Sequence, residues 1–227
     1  MTAGSSGPTR HISGPAEFQA IFGVSRETLD RLTNYADMLA RWQKTINLVA
    51  PSTLGDVWHR HFADSAQLIG HIPEGAETVW DLGSGAGFPG LVLAVLGLEP
   101  GRGRTMRVRL IESDQRKAAF LREVARTVGI AVDIDSARIE TISTQGKVAK
   151  VDVITSRALA PLRRLLELSR PVFGATTTGL FLKGRDVASE VEEARRSWDF
   201  TLSLEPSLTE PQARIAVVRN ARPVTED

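Results

Sequence analysis

A glycine-rich segment in the middle of the chain has the residue types and spacing of a ligand-binding turn. It spans residues 81–90, reads DLGSGAGFPG and begins within the apolar run of residues 78–82. Glycines lack a Cβ atom, so a strand-to-helix turn built from them lets a nucleoside approach the backbone closely. Pro89 suits the first turn of the next helix, whose N–H groups attract an anionic group. We therefore predict a nucleoside-cofactor site formed by Gly83, Ser84, Gly85, Gly87 and Phe88.

A carboxylate follows the next apolar run of the chain. Glu112 comes directly after residues 106–111, at a position where a carboxylate accepts hydrogen bonds from both hydroxyls of a ribose. Ser113 and Asp114 are better residue types for capping the following helix, which leaves Glu112 for a ligand. We predict that Glu112 binds the ribose of an adenosine cofactor, S-adenosyl-L-methionine.

A second interpretation of the glycine segment is a dinucleotide site. Residues 85–90 match the fingerprint GxGxxG. In that fingerprint the first glycine closely follows the strand, whereas here Asp81 and Gly83 come first and Pro89 lies inside the pattern. A nucleotide-binding dehydrogenase is therefore the less favoured alternative.

Polar residues also follow the third and fourth apolar runs. Ile139 and Glu140 come after the third run, where they would contact an adenine ring, and Arg157 follows the fourth run. Loops after parallel strands meet at one edge of the sheet, so Arg157 is expected beside the methyl acceptor as well as beside the cofactor.

The chemistry of the acceptor is suggested by residues that the chain lacks. No Asn-Pro-Pro-Tyr-like segment follows the fourth run to orient an exocyclic amine, and no cysteine is available to attack a pyrimidine. An acceptor that needs little activation fits better. Guanine N7 has an unprotonated lone pair at neutral pH, so alignment with the methyl group suffices, and we assign no catalytic acid or base.

Short apolar runs alternate with amphipathic helices from residue 78 onward. The predicted strands are residues 78–82, 106–111, 130–134, 151–155, 179–183, 200–204 and 214–219, the last two joined without a helix. This alternation predicts an α/β fold with helices on both faces of a mostly parallel sheet. About seven strands with the last one reversed is the Rossmann-like pattern of class I methyltransferases, by analogy.

A helical extension precedes the sheet. Ser25 can cap a helix with apolar residues at three- and four-residue spacing, and residues 60–69 form a second helical segment. We predict a disordered, Gly/Ser-rich tail over residues 1–14, the extension over 15–73 and a cofactor-binding core over 74–227.

The sequence resembles the ribosomal small subunit methyltransferase G family, also called GidB. Besides the glycine segment, the resemblance rests on WQKTINL at residues 42–48, RHFADS at 60–65, SRA at 156–158 and Lys183-Gly184, and it covers roughly residues 25–190. It implies a class I fold, S-adenosyl-L-methionine as the cofactor and methylation of guanine N7 in a loop of 16S ribosomal RNA. The arginine-rich insertion at residues 101–104 departs from the family and leaves RNA docking there open.

The resemblance also implies roles for single residues. Gly83 and Phe88 contact the cofactor, Ile139 and Glu140 flank its adenine, and Arg157 belongs to the site. The residues expected to contact RNA are Asn47, Arg60, His61, Arg157 and Lys183. Residues 60–65, including Asp64, could equally pack the extension onto the core through hydrogen bonds.

The composition sets outer limits on the function. The net charge is +1 over 227 residues, so a small-molecule methyltransferase remains an alternative to an RNA enzyme, although Arg102, Arg104, Arg107 and Arg109 could contact phosphates. There is no cysteine, and four scattered histidines lack ligand spacing, so we expect no metal. No apolar run is long enough for a membrane span and the polar start lacks a signal peptide, so we expect a cytoplasmic protein. We also expect a monomer, although no feature of the sequence indicates the oligomeric state.

Overall fold

A seven-stranded sheet forms the centre of the computed structural model, which describes residues 11–99, 106–142 and 151–224. The strand order is β3-β2-β1-β4-β5-β7-β6. The strands are β1 (Thr78–Leu82), β2 (Arg107–Ile111), β3 (Val132–Asp135), β4 (Val153–Arg157), β5 (Thr178–Lys183), β6 (Trp198–Pro206) and β7 (Arg214–Pro223).

The first five strands are parallel, and β7 runs antiparallel to both β5 and β6. The predicted α/β sheet with its last strand reversed is thereby confirmed. The boundaries differ in places: the fourth strand lies at Val153–Arg157 rather than at residues 151–155, so Arg157 is its last residue and not part of a loop. The hairpin strands β6 and β7 are longer than predicted.

Helices cover the sheet and connect its strands. They are α1 (Pro15–Phe22), α2 (Arg26–Trp42), α3 (Pro51–Leu54), α4 (Asp64–Ala66), α5 (Gly90–Leu96), α6 (Gln115–Val128), α7 (Ile139–Ile142), α8 (Leu162–Ser169) and α9 (Val187–Arg195). The predicted caps are present: the side chain of Ser25 accepts from the N–H of Thr28, and that of Asp114 accepts from the N–H groups of Arg116 and Lys117. Gly129 ends α6 in the left-handed conformation.

The segment predicted as a helix over residues 60–69 is helical but irregular. A π-helical turn at Trp58–Ala63 leads into α4, and a 3₁₀ turn at Gln67–His71 follows. We call this stretch the irregular helix. Single π turns occur often at functional sites because they redirect side chains within a helix.

The extension and the sheet share one hydrophobic core. Tyr35 of α2 and Phe62 of the irregular helix are fully buried together with residues of α5 and α6. Ile12, which we had assigned to the tail, is also fully buried, and its N–H donates to Nδ1 of His59 at 3.3 Å. The ordered chain therefore starts before residue 14, while residues 1–10 lie outside the described residues.

Two further expectations concern the surface. Arg102 and Arg104 lie outside the described residues, whereas Arg109 of β2 forms an ion pair with Asp135 and its guanidinium lies 4.7 Å from the centre of the Trp80 ring. Arg109 is therefore engaged within the fold. Among residues 11–99, 106–142 and 151–224, no helix combines the length and apolar character required to cross a membrane.

Candidate functional site

Two neighbouring cavities lie at the edge of the sheet where the parallel strands end. The first has a volume of about 460 Å³ and lies over β1, β2 and α7. The second has a volume of about 530 Å³ and lies between the glycine segment, the irregular helix and the loop joining β6 to β7. Both volumes are in the range of small-molecule sites. Residues that line both cavities form their junction; these are Gly83, Gly85, Lys117, Arg157 and Ala158.

The predicted cofactor residues divide between the two cavities. Those lining the first cavity are Gly83, Gly85, Glu112, Ile139, Glu140 and Arg157. Ser84 and Phe88 line the second cavity. The sequence therefore predicted correctly that most of the cofactor residues lie together. They lie at or after the ends of parallel strands, and these ends meet at one edge of the sheet.

Gly87 lines neither cavity. Its φ is +94°, and a Cβ atom added there would lie 2.5 Å from Cδ1 of Leu91 and 2.5 Å from the hydroxyl of Tyr35. The position needs glycine so that α2 and α5 can pack against the turn. These contacts give Gly87 a packing role, and its contact with the cofactor stays a prediction.

A buried carboxylate holds the glycine segment. Oδ1 of Asp81 accepts from the hydroxyl of Thr155 at 2.7 Å, and Oδ2 accepts from the N–H of Gly90 at 3.2 Å. Burial raises the pKa of Asp81 to about 6, partly offset by these two hydrogen bonds. The N–H of Gly90, the first residue of α5, thus already donates to Asp81. It is not available to an anionic ligand, contrary to the expectation from the sequence.

Glu112 is less free than its position suggested. Its side chain is largely buried, Oε2 accepts from the N–H of Gly85 at 2.7 Å, and Oε1 accepts from the N–H of Asp114 at 2.8 Å. These bonds orient the carboxylate at the wall of the first cavity. Each carboxylate oxygen has two lone-pair directions, so Glu112 retains acceptor capacity for a ligand.

Ile139 and Glu140 open the short helix α7 at the outer side of the first cavity. A carboxylate oxygen of Glu140 accepts from the guanidinium of Arg164 in α8 at 2.7 Å. The ion pair links α7 to α8, and Ile139 supplies an apolar surface beside it. An apolar wall of this kind suits the face of an aromatic ring.

Arg157 occupies the junction of the two cavities. Its guanidinium donates to the carbonyl of Arg60 at 3.0 Å and to Oδ2 of Asp64 at 3.4 Å. It also lies 4.9 Å from the centre of the Phe88 ring. Asp64 and Phe88 therefore hold Arg157 in place from the irregular helix and the glycine segment.

Aromatic rings tie the extension to the glycine segment. The ring of Phe88 is stacked with Tyr35 at 5.3 Å and with His61 at 4.9 Å between centroids. The hydroxyl of Tyr35 donates to the carbonyl of Ala86. Burial raises the pKa of Tyr35, so this hydroxyl stays protonated and the glycine segment is anchored to α2.

His61 is buried in a positively charged environment. Its Nε2 is 2.8 Å from the hydroxyl of Thr53, and its Nδ1 has no hydrogen-bond partner among the described residues. Burial, with the nearby charges of Arg157 and Arg60, lowers the pKa of His61 to about 3. The imidazole is therefore neutral at physiological pH.

We expect this histidine to make the fold sensitive to acid. In the unfolded chain His61 titrates near pH 6.5, so the unfolded state gains a proton that the folded state refuses. The contribution of His61 to the free energy of unfolding is therefore fully present above pH 6.5. It decreases by up to about 5 kcal/mol as the pH falls toward 3. The free energy of unfolding, measured with denaturant, should therefore fall less between pH 7.5 and 4.5 in His61→Gln than in the wild type.

Comparing His61→Gln with the wild type also removes the effect of a second titrating group on the free energy of unfolding. Asp81, whose pKa is raised from 3.8 to about 6, favours the folded state below pH 6 in both proteins, so its contribution cancels. Glutamine retains a group that can bond the hydroxyl of Thr53. An identical pH dependence in the two proteins would show that His61 does not resist protonation.

The remaining residues expected to contact RNA differ in accessibility. Arg60 is exposed at the second cavity and forms an ion pair with Glu210 at 3.1 Å, whereas Asn47 is exposed but lines neither cavity. Lys183 is buried, donates to the carbonyl of Ala160 at 2.7 Å and pairs with Glu190 at 2.6 Å. Lys183 also lines the second cavity, but its charge is offset by Glu190, and its contact with RNA stays a prediction.

Sequence reasoning overlooked the loop that joins β6 to β7. The hydroxyl of Thr209 donates to Oδ1 of Asp64 at 2.9 Å, and the N–H of Leu208 donates to Gln67 at 2.7 Å. The loop thus forms a wall of the second cavity against the irregular helix. Lys117 was also overlooked, although its position three residues after the cap Asp114 placed it on the first turn of α6.

Comparisons with known proteins agree on one family. A family model described as rRNA small subunit methyltransferase G, GidB, matches residues 28–214. The ribosomal RNA small subunit methyltransferase G of Parvibaculum lavamentivorans is 48% identical over 219 residues, covering 93% of this chain and 94% of that protein. The protein of the same name from Rhodospirillum centenum is 51% identical over 199 residues, covering 88% and 87%.

Solved structures share the fold at low sequence identity. A putative O-methyltransferase from Klebsiella pneumoniae superposes with a TM-score of 0.57 at 14% identity, over 84% of this chain and 90% of that one. A mutant of MtNAS in complex with S-adenosylmethionine gives a TM-score of 0.52 at 13% identity, over 90% and 77%. With the family match over residues 28–214 and relatives at about 50% identity, the chain belongs to the rRNA small subunit methyltransferase G family.

Proposed function

We propose that the chain transfers the methyl group of S-adenosyl-L-methionine to N7 of a guanine in 16S ribosomal RNA. Methylation of ribosomal RNA with this cofactor is the activity that the family match and the relatives support. The structural observation that carries the proposal is the junction of two cavities at Gly83 and Arg157. One cavity suits a nucleoside cofactor and the other is large enough for a nucleotide.

The first cavity fits the cofactor. A Cβ atom added to Gly85 would find no atom closer than 3.9 Å, so the backbone there is open to a ligand. Glu112 presents a carboxylate suited to ribose hydroxyls, and Ile111 and Ile139 supply apolar walls. When bound, S-adenosyl-L-methionine supplies a methyl group that is activated by the positive charge of its sulfur. We call this first cavity the cofactor cavity.

The second cavity, called the acceptor cavity below, would orient the guanine. Arg157 lies at the junction and offers a planar guanidinium that can hydrogen-bond or stack on a base. The lone pair of guanine N7 forms the new bond, so no proton has to leave the base before transfer. The neutral His61 beside it need not act as a base.

The form of the substrate follows from the geometry of RNA. N7 faces the deep, narrow groove of an A-form helix, which side chains do not enter. The target guanine must therefore lie in a loop or a distorted region of 16S ribosomal RNA, free or within the small subunit. We further propose that the enzyme acts as a monomer in the cytoplasm.

Nucleoside analysis of a strain that lacks the gene tests the proposal. We expect its 16S ribosomal RNA to have lost one N7-methylguanosine, which returns when the wild-type gene is supplied. The same set of modified nucleosides in 16S ribosomal RNA from the wild-type strain and from the strain without the gene would contradict the proposal. Methyl transfer from labelled S-adenosyl-L-methionine to a product of low mass would instead favour a small-molecule methyltransferase.

A further inference from the structure

The basic side chains around the acceptor cavity are not equally neutralised. The five that line it are Arg60, Lys117, Arg157, Lys183 and Arg214. Three of them pair with carboxylates of the described residues. These pairs are Arg60 with Glu210 at 3.1 Å, Arg157 with Asp64 at 3.4 Å and Lys183 with Glu190 at 2.6 Å. Lys117 and Arg214 have no carboxylate within 4.0 Å in the part of the chain that the structure describes.

Lys117 lies where the two cavities meet. It is on the first turn of α6, is half-buried and lines both the cofactor cavity and the acceptor cavity. The carboxylate of Asp114, one turn earlier, is engaged by the N–H groups of Arg116 and Lys117 and by the Arg116 side chain at 3.7 Å. Lys117 is thus a positively charged residue at both cavities that has no ion-pair partner among the described residues.

Arg214 lies at the other side of the acceptor cavity. It is the first residue of β7, paired in register with Lys183 of β5. Its Nη1 donates to the carbonyls of Pro211 and Ala213, each at 2.7 Å. Carbonyl oxygens fix the guanidinium but carry no formal charge, so the positive charge of Arg214 is positioned and not neutralised.

The sheet separates these two charges. Lys117 follows β2 and Arg214 begins β7, and in the sheet β1, β4 and β5 lie between those strands. A nucleotide that enters the acceptor cavity is joined to phosphates on both its 5′ and 3′ sides. Two uncompensated cations on opposite sides of the cavity match that arrangement, because phosphate contacts set the register of a nucleic acid on a protein.

We propose that Lys117 and Arg214 bind the backbone phosphates on the two sides of the guanosine in the acceptor cavity. This inference rests on the proposed function, since it requires RNA as the substrate. The ion-paired residues Arg60, Arg157 and Lys183 contribute less to this electrostatic attraction, because their carboxylate partners offset their charge. Lys117 and Arg214 thereby position the RNA strand.

Salt dependence of RNA binding tests the inference. Binding of small ribosomal subunits to the protein loaded with S-adenosylhomocysteine would be measured at about 50, 100 and 200 mM KCl with constant Mg²⁺. Over this range the affinity of a protein for nucleic acid depends strongly on salt. For Lys117→Gln and Arg214→Gln we expect the slope of log K against log salt to become less steep by about 0.7 to 1 each, with about three- to tenfold weaker binding at low salt. Lys117→Arg and Arg214→Lys should restore the slope.

A matched control uses a basic residue away from the cavities. Arg170 is exposed, follows α8 and lines neither cavity. Arg170→Gln should keep the wild-type slope. Arg214→Gln and Arg170→Gln should bind S-adenosylhomocysteine within about twofold of wild type, because neither residue lines the cofactor cavity.

Three results would overturn the inference, and they differ in what they imply. Wild-type slopes in both glutamine variants would mean that neither side chain contacts phosphate. A tenfold loss of S-adenosylhomocysteine affinity in Lys117→Gln, with an unchanged slope, would assign Lys117 to the carboxylate of the cofactor. If wild-type protein neither binds nor methylates 16S ribosomal RNA, the proposed function itself fails and takes the phosphate contacts with it.

Discussion

Gly83→Val is expected to reduce the affinity for S-adenosylhomocysteine by at least about a hundredfold, a loss of about 2.7 kcal/mol. Gly83 lines the cofactor cavity and the acceptor cavity with a φ of +67°. A Cβ atom there would lie 2.6 Å from Cδ1 of Leu159, so the valine must displace that side chain, which itself lines the cofactor cavity. The left-handed conformation adds strain of about 1–2 kcal/mol for a residue with a Cβ atom. Calorimetry with S-adenosylhomocysteine measures the effect.

Gly129 provides a matched control for the strain. It also has a φ of +67°, but a Cβ atom there would meet no atom within 4 Å, and it lines neither cavity. Gly129→Val should lower the free energy of unfolding by a similar strain term and leave cofactor binding unchanged. Equal binding by Gly83→Val and Gly129→Val would place the cofactor away from Gly83.

Arg157→Ala is expected to reduce kcat/KM for methyl transfer to ribosomal RNA by about a hundredfold, or about 2.7 kcal/mol, while the protein remains folded. Its guanidinium lies at the junction of the two cavities, where it would orient the guanine against the methyl group. Loss of the side chain leaves Asp64 with its bonds from Thr209 and Gln67, so we expect a stability loss of only about 1–2 kcal/mol. Steady-state kinetics and thermal unfolding separate the two effects.

Arg157→Lys is the informative companion variant. Lysine keeps the charge but lacks the planar guanidinium that lies over Phe88 and reaches both Arg60 and Asp64. We expect an intermediate rate, closer to that of alanine if orientation dominates. Full activity of Arg157→Ala on small subunits would remove Arg157 from the acceptor site.

The placement of the site could be predicted from the sequence because it depends on local order. Alternating strands and helices bring the residues after each parallel strand to one edge, which correctly united Gly83, Glu112 and Ile139 around one cavity. The same local information identified Ser25 and Asp114 as helix caps. Such features are visible within one turn or one strand of the chain.

Contacts between distant segments could not be predicted in this way. Thr209 donates a hydrogen bond to Asp64, 145 residues away, and Tyr35 donates one to the glycine segment, 51 residues away. No periodic pattern in the sequence indicates either contact. The burial of Lys183 has the same origin, since it donates to the carbonyl of Ala160, 23 residues earlier in the chain. For this reason the wall of the acceptor cavity formed by the β6–β7 loop became visible only in the structure.

Methyl transfer to defined ribosomal RNA is the most direct test of the central claim. The purified chain would be incubated with S-adenosyl-L-methionine labelled in its methyl group and with small subunits from a strain that lacks the gene. The 16S ribosomal RNA would then be digested and its labelled nucleoside identified by mass spectrometry. We predict label in N7-methylguanosine of 16S ribosomal RNA, which forms about a hundredfold more slowly with Arg157→Ala. Label in another nucleoside, or in no ribosomal RNA, would contradict the proposed function.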